Sequence, residues 1–316
     1  MNISSASPLH TPTTAAAGSG GGERALVLGG GGSTGNAWLI GVIAGLHEAG
    51  VDVTTADLTI GTSAGSTAAA QIVGATPAEL LDMTLAAVPP QRVGSPGPAE
   101  GRGPSRLMSD HLDRFLAIIA SSEDVVDMRR RMGAAALAKE AESDGSWQAQ
   151  WRATVASRLP SQEWPRRAVH LTAVDAETGE PVVFDRDSGV ELVDAVAASC
   201  AGGGFPYRIG GRPYLDGGYR ANAENADLAV GYERVLVLSP LGGKTLHPLE
   251  WRTGLPVQVE ELRAHGSRVE TIVPDSQSEH LFGPNAMDVS LRPAAARAGY
   301  EQGRGRAEQV SELWLA

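Results

Sequence analysis

Ser63 stands in the segment Gly61-Thr62-Ser63-Ala64-Gly65, which fits the pattern G-x-S-x-G. Glycines two residues to either side of a serine let neighbouring backbone pass close to a sharp strand-to-helix turn, which presents the hydroxyl as a nucleophile. The same short pattern also serves as a plain Gly/Ser turn capping a helix, so its flanks carry the weight. Leu58 to Ile60 is an apolar run that reads as a strand, and Ser66 to Val73 is a stretch of small residues that reads as a helix. A helix beginning just after Ser63 would set its positive dipole end beside a developing negative charge.

A second glycine turn lies upstream. Gly30-Gly31-Gly32-Ser33-Thr34-Gly35 follows the apolar run Ala25 to Leu28 and precedes a helical pattern from Asn36 to Ala49. As G-x-G-x-x-G it matches a dinucleotide-binding fingerprint, with Glu48 or Asp52 as the ribose acid. As a run of free backbone N–H groups it equally makes an oxyanion hole for an acyl intermediate. The serine turn on the very next strand-to-helix unit favours acyl chemistry, since adjacent parallel strands bring both turns to one sheet edge. A serine nucleophile also needs a base. Asp216-Gly217-Gly218, after the strand end Tyr214-Leu215, offers a carboxylate on a glycine-flanked turn. His247, His265 and His280 follow it in chain order, as a Ser-Asp-His triad would require, but none sits on an evident strand-end loop. No H-x-x-x-H or H-E-x-x-H spacing points to a catalytic metal.

The elements that must position these residues alternate short apolar strands with helices, the pattern of a parallel sheet covered on both faces. Gln91 to Arg106 is rich in Pro and Gly and reads as a loop. Leu107 to Ile119, Val125 to Glu142 and Trp147 to Leu159 read as helices of an insertion, about residues 91–165, that is a candidate lid over an acyl site. Strands are expected at Val169 to Val174, Val182 to Phe184, Val235 to Leu238 and Arg268 to Val273, and helices at Val190 to Ser199 and Ala294 to Leu315. Arg129-Arg130-Arg131 reads as a solvated helix face paired with acidic residues.

The chain has 316 residues, with 26 Lys plus Arg against 37 Asp plus Glu, a formal net charge of 26 − 37 = −11. With 42% hydrophobic and 20% charged residues it is a globular composition, not a disordered, collagenous or coiled-coil one. The acidic balance argues against nucleic acid and anionic headgroups as electrostatic partners. The single cysteine, Cys200, excludes an intramolecular disulfide and reads as a small buried hydrophobe. Residues 1–22 lack a signal-peptide pattern, and no uncharged apolar run reaches the roughly 18 residues of a membrane span. A soluble, cytoplasmic protein with peripheral membrane contact at most is expected, organised as a tail over residues 1–23 and one domain over 24–316.

In their order along the chain, Gly30 to Gly35, Gly61 to Gly65 and Asp216-Gly217-Gly218 resemble the motifs of the patatin-like phospholipase family, acyl hydrolases that work with a Ser–Asp dyad. The resemblance extends to Ala25-Leu26-Val27-Leu28, to Ala198-Ser199-Cys200-Ala201 with Phe205-Pro206, and to the stretch from Gly211 to Ala229, and covers about residues 24–310. It implies a three-layer α/β/α fold with a mainly parallel central sheet. It also implies Ser63 as nucleophile, Asp216 as base, and the N–H groups of Gly30, Gly31 and Gly32 as the oxyanion hole, with Gly35, Gly61, Gly65, Gly217 and Gly218 supporting the motifs. The implied reaction is hydrolysis of a carboxylic ester of a lipid, with no cofactor. Two positions depart from the family pattern: Thr34, where Arg or Lys is usual, and Gly202-Gly203-Gly204 ahead of Phe205, where an apolar residue, Pro and Gly are usual. These departures motivate a second reading, a catalytically silent lipid-binding protein on the same scaffold; a nicotinamide-dependent oxidoreductase is a third.

Overall fold

The computed structural model describes residues 22–86 and 104–315. The expected tail over residues 1–23 therefore lies outside the described residues except for Gly22 and Glu23. So does the expected loop Gln91 to Arg106, except that residues 104–106 begin a helix. Pro104 is the first residue of that helix, where a missing backbone N–H removes no helical hydrogen bond.

Among the described residues, eight strands form one sheet: β1 (Arg24–Leu28), β2 (Leu58–Gly61), β3 (Ala168–Asp175), β4 (Pro181–Phe184), β5 (Tyr207–Ile209), β6 (Arg212–Asp216), β7 (Arg234–Leu238) and β8 (Arg268–Ile272), in the order β5-β6-β3-β2-β1-β7-β8 with β4 also on β3. The centre is parallel, as expected, from β3 through β2, β1 and β7 to β8. One flank is antiparallel, because β6 and β4 both run against β3 and β5 runs against β6. The helices are α1 (Gly32–Glu48), α2 (Ala64–Ile72), α3 (Pro77–Ala86), α4 (Pro104–Ser121), α5 (Val125–Ala141), α6 (Ser146–Ala156), α7 (Leu192–Ser199), α8 (Leu255–Ala264) and α9 (Arg292–Trp314). β5, α3 and α8 have no counterpart in the sequence reading. Among the described residues no helix is long and apolar enough to cross a membrane.

Strand alternation divides the core into layers. Leu26 and Leu28 of β1 join a cluster with α1, α7 and α9, while Ala25 and Val27 join Leu255 and Leu262 of α8 on the opposite face. Met128 and Met132 of α5 pack with Val174 and Leu215 at the antiparallel flank. The expected solvated arginine face on α5 is only partly so. Arg131 pairs with Asp127 at 2.7 Å on the surface, but Arg129 is buried and donates to the carbonyls of Gly179 (2.7 Å) and Arg220 (2.8 Å).

The helix that follows the first glycine turn is held by an unusually close neighbour. A β-carbon on Gly41 or Gly45 of α1 would stand 2.1 Å from the Ala296 carbonyl oxygen or 2.2 Å from that of Tyr300. In return, one on Gly299 or Gly303 of α9 would stand 2.3 Å from the carbonyl oxygen of Trp38 or Val42. Glycines at four-residue spacing on both helices thus let two backbones touch, and the pairs advance together along both chains, so α1 and α9 run parallel with their N-termini side by side. Gly303→Ala is expected to lower stability by about 1–3 kcal/mol through overpacking, read as a lower urea midpoint. An unchanged midpoint would show that the two backbones do not approach this closely.

Candidate active site

Ser63 links β2 to α2 with φ 53° and ψ −116°. A non-glycine residue in that region costs on the order of 1–3 kcal/mol and persists only where its surroundings over-determine it. They do so here. Its N–H donates to Ser199 Oγ (3.1 Å), which is itself 2.6 Å from Ser66 Oγ, and its carbonyl accepts from the Cys200 thiol (3.0 Å). The turn can close because Gly65 lacks a side chain: a β-carbon there would lie 1.9 Å from the Leu28 carbonyl oxygen. Gly61 ends β2 directly beneath it.

Asp216 ends β6, and its Oδ2 accepts the Ser63 hydroxyl at 2.7 Å while its Oδ1 accepts the Gly218 N–H at 2.8 Å. The surrounding protein strips water from the carboxylate and lifts its pKa to about 6, against a smaller downward pull from the Gly218 and Ser63 hydrogen bonds. Gly217 follows in a tight turn, its Cα set hard against Thr172 of β3. Asn225 joins the two turns, donating from one amide nitrogen to Thr62 Oγ1 (3.0 Å) and to the Gly217 carbonyl (2.9 Å). Gly202 lies against Asp216, and its segment is tied down by Tyr219, whose hydroxyl donates to the Gly202 carbonyl (3.3 Å), and by Lys139, which donates to that of Gly203 (3.1 Å).

The first glycine turn passes beside Ser63: a β-carbon on Gly30 would be 3.5 Å from Ser63 Cβ. The three glycines expected to donate to an oxyanion are not equivalent in their present hydrogen bonding. The Gly30 N–H is committed to the Ala223 carbonyl at 2.8 Å. Gly31 precedes α1 and Gly32 begins it, so their N–H groups precede the first helical hydrogen bonds, and they have no partner among the described residues. Gly35 N–H closes the turn onto the Gly31 carbonyl (3.0 Å).

The downstream histidines all lie elsewhere. His247 Nδ1 is 2.9 Å from Thr253 Oγ1, and those of His265 and His280 lie against the carbonyls of Glu261 and Gln277. The acids considered for a ribose are likewise occupied. Glu48 closes the far end of α1 and accepts the Tyr300 hydroxyl, while Asp52 accepts the Thr54 N–H and hydroxyl. Chemically, the arrangement offers a hydroxyl already hydrogen-bonded to a desolvated carboxylate, with the unengaged N–H groups of Gly31 and Gly32 at the start of α1 nearby. Sequence reasoning missed Ser199 and Asn225, and it read Cys200 as an inert hydrophobe. Ser199 and Cys200 lie in a stretch that resembles the family, but the sequence assigned neither a partner, because their contacts with Ser63 arise only when α7 packs under its turn.

Among protein families, the patatin-like phospholipase model matches residues 26–229. No curated protein sequence matches the chain. Among solved structures it is similar to VipD from Legionella pneumophila, at 13% identity and a TM-score of 0.43, covering 91% of this chain and 67% of that one. It is also similar to the type III effector protein ExoU, at 13% identity and a TM-score of 0.39, covering 90% of this chain and 53% of that one. With ExoU of the Pseudomonas aeruginosa type III secretion system in complex with SpcU, the identity is 17% and the TM-score 0.40, over 93% of this chain and 53% of that one.

Burial raises the Cys200 thiol to about 12, so it remains a protonated donor to Ser63 throughout the neutral range. Native protein is expected to resist iodoacetamide at pH 8 and to be alkylated once per chain in urea. Prompt alkylation of the folded protein would contradict this environment for Cys200.

Proposed function

The chain belongs to the patatin-like phospholipase family, and from that membership we propose that it hydrolyses carboxylic esters of lipids with Ser63 as nucleophile and Asp216 as its base. The observation that carries this reading is the 2.7 Å hydrogen bond from Ser63 Oγ to Asp216 Oδ2, which leaves the hydroxyl proton facing a carboxylate with no imidazole between them.

In this scheme Asp216 takes the hydroxyl proton as Ser63 Oγ adds to the acyl carbonyl. The Gly31 and Gly32 N–H groups receive the oxygen that becomes negative, supported by the positive end of α1. Collapse of the tetrahedral adduct expels the alcohol, which takes the proton from Asp216, and leaves the acyl group on Ser63. Water then gives its proton to Asp216 and attacks the acyl carbonyl, and collapse releases the carboxylic acid and regenerates Ser63. Ester and water become acid and alcohol, with nothing else consumed. An ordinary aspartate is a weak base toward serine; a pKa of about 6 makes it a stronger one that is still ionised at neutral pH. Each oxyanion donor is worth roughly 3 kcal/mol of barrier. A lid role for α4, α5 and α6 is part of the same proposal, supported by the Lys139 contact of α5 with the Gly203 wall beside Asp216.

Intact-mass measurement after fluorophosphonate treatment is expected to show one adduct that disappears in Ser63→Ala. Asp216→Asn is expected to lower kcat/KM by about 10³-fold or more. Full activity in that variant would remove the dyad. A folded wild type that forms no adduct and binds lipid without turnover would leave the silent lipid-binding scaffold instead.

The pH dependence follows from the same pKa. The base form prevails above about 6, so kcat/KM is expected to fall tenfold per unit as pH drops below that value. The folded pKa lies above the ordinary 3.8, so ionising Asp216 disfavours the fold increasingly as pH rises from 3.8 to about 6 and by a constant amount beyond. Asp216→Asn is therefore expected to keep or raise the melting temperature at pH 8, which separates loss of chemistry from loss of structure. A flat activity profile between pH 4.5 and 7 would sink the assignment of Asp216 as base.

A further inference from the structure

Arg292 is the first residue of α9 and lies outside the span 26–229 that matches the family. The parallel pairing of α1 with α9 brings it to the start of α1, where its guanidinium spreads over the glycine turn. Nη1 donates to the Ser33 carbonyl (2.7 Å) and hydroxyl (3.3 Å), and Nη2 donates to Asn36 Oδ1 (3.1 Å). The amide nitrogen of Asn36 in turn donates to Gln71 Oε1 at 2.9 Å, on the helix that begins immediately after Ser63. One rigid fork therefore grips the turn that carries Gly31 and Gly32 and, through Asn36, the helix behind Ser63.

The charge on this group is as telling as its geometry. No carboxylate pairs with Arg292 among the described residues, and the charged group that acts on it is another cation, Arg158. Burial and Arg158 both press its pKa down, yet a guanidinium stays protonated in a protein. A half-buried cation satisfied only by neutral oxygens, beside the positive end of a helix, is placed at a disadvantage in the resting protein. That disadvantage is relieved when negative charge forms nearby, which is what a preorganised anion-stabilising site requires. Thr34, inside the same turn, carries no charge that could serve this purpose.

We infer that Arg292 is a positioning residue of the reaction proposed above, and the inference rests on that reading. It holds the Ser33 carbonyl on the far side of the turn, keeps the Gly31 and Gly32 N–H groups free for the acyl oxygen, and adds positive potential where that oxygen becomes an anion. A C-terminal helix thereby completes a site whose other parts all come from the first 229 residues.

The test compares wild type, Ser63→Ala, Arg292→Met and Arg292→Lys on a soluble p-nitrophenyl ester, with inhibition by a trifluoromethyl ketone, which forms an anionic adduct on an active serine. Arg292→Met is expected to keep its circular dichroism and to lose about 10²-fold in kcat with KM within about twofold. Its affinity for the ketone should fall in parallel with kcat/KM. Arg292→Lys, which keeps the charge but not the fork, is expected to fall between Met and wild type. If Arg292→Met does not fold, the Lys variant decides alone, and kcat equal to wild type overturns the inference. So does a kcat loss in Arg292→Met without a matching loss of ketone affinity, which would mark a merely structural role. Hydrolysis that survives Ser63→Ala overturns the dyad and the Arg292 role together, whereas hydrolysis lost in Ser63→Ala but retained in Arg292→Met overturns the Arg292 role alone.

Discussion

Two strands must end over the middle of a third for Ser63 to reach Asp216. β2 runs parallel to β3 and stops where Gly61 faces Leu171; β6 runs antiparallel to β3 and stops where Asp216 faces Ala173. The two chains thus come toward each other from opposite ends of β3, and their turns meet above Thr172. Several hydrogen bonds hold this meeting together. Thr62 and Thr172 share a hydrogen bond at 2.9 Å, Asn225 clamps Thr62 to Gly217, and Arg220 donates to the Asn225 side-chain oxygen. Asn225 takes left-handed backbone angles, φ 53° and ψ 40°, which an asparagine tolerates better than most residues.

Several unfavourable features of the molecule gather near that point. Ser63 sits in a strained conformation, Asp216 is stripped of water, and Arg292 has no counter-charge among the described residues. Just behind the glycine turn, Glu224 is buried with one carboxylate oxygen bonded to Ser239 and the other unpartnered within the described residues. Burial raises its pKa, which favours the neutral acid at this place. Such local disadvantages persist where a rigid scaffold imposes them, and they cluster where chemistry is done. The scaffold is visible in the backbone contact of α1 with α9, which leaves the helix starts little freedom, and in a core that buries both faces of β1.

The glycine turn carries a local pattern that two kinds of chemistry share. Free N–H groups at a helix start suit a pyrophosphate and an acyl oxyanion equally well. Its neighbours support the proposed acyl chemistry: Ser63 stands against Gly30, while Glu48 and Asp52 are engaged elsewhere. Even within the turn the neighbours discriminate, since Ala223 takes the Gly30 N–H and leaves those of Gly31 and Gly32.

Much of this was legible in the sequence, for a physical reason. A strand, a glycine turn and a helix are written in residues that touch within a few positions of one another, so β1 with α1 and β2 with α2 can be read from alternation, glycine spacing and helical period. The serine and the aspartate could each be placed on such a turn. Their contact spans 153 positions in the chain, and no local signal carries the direction of β6, which brings Asp216 to the serine. Ser199, Cys200 and Arg292 illustrate the same limit. Each reaches the serine turn or the glycine turn only when α7 or α9 closes onto the sheet. The sequence by itself determined which turns exist and what each could donate or accept. The tertiary structure decided which of them meet, because strand direction and helix docking are settled by burial across the whole chain rather than by any segment of it.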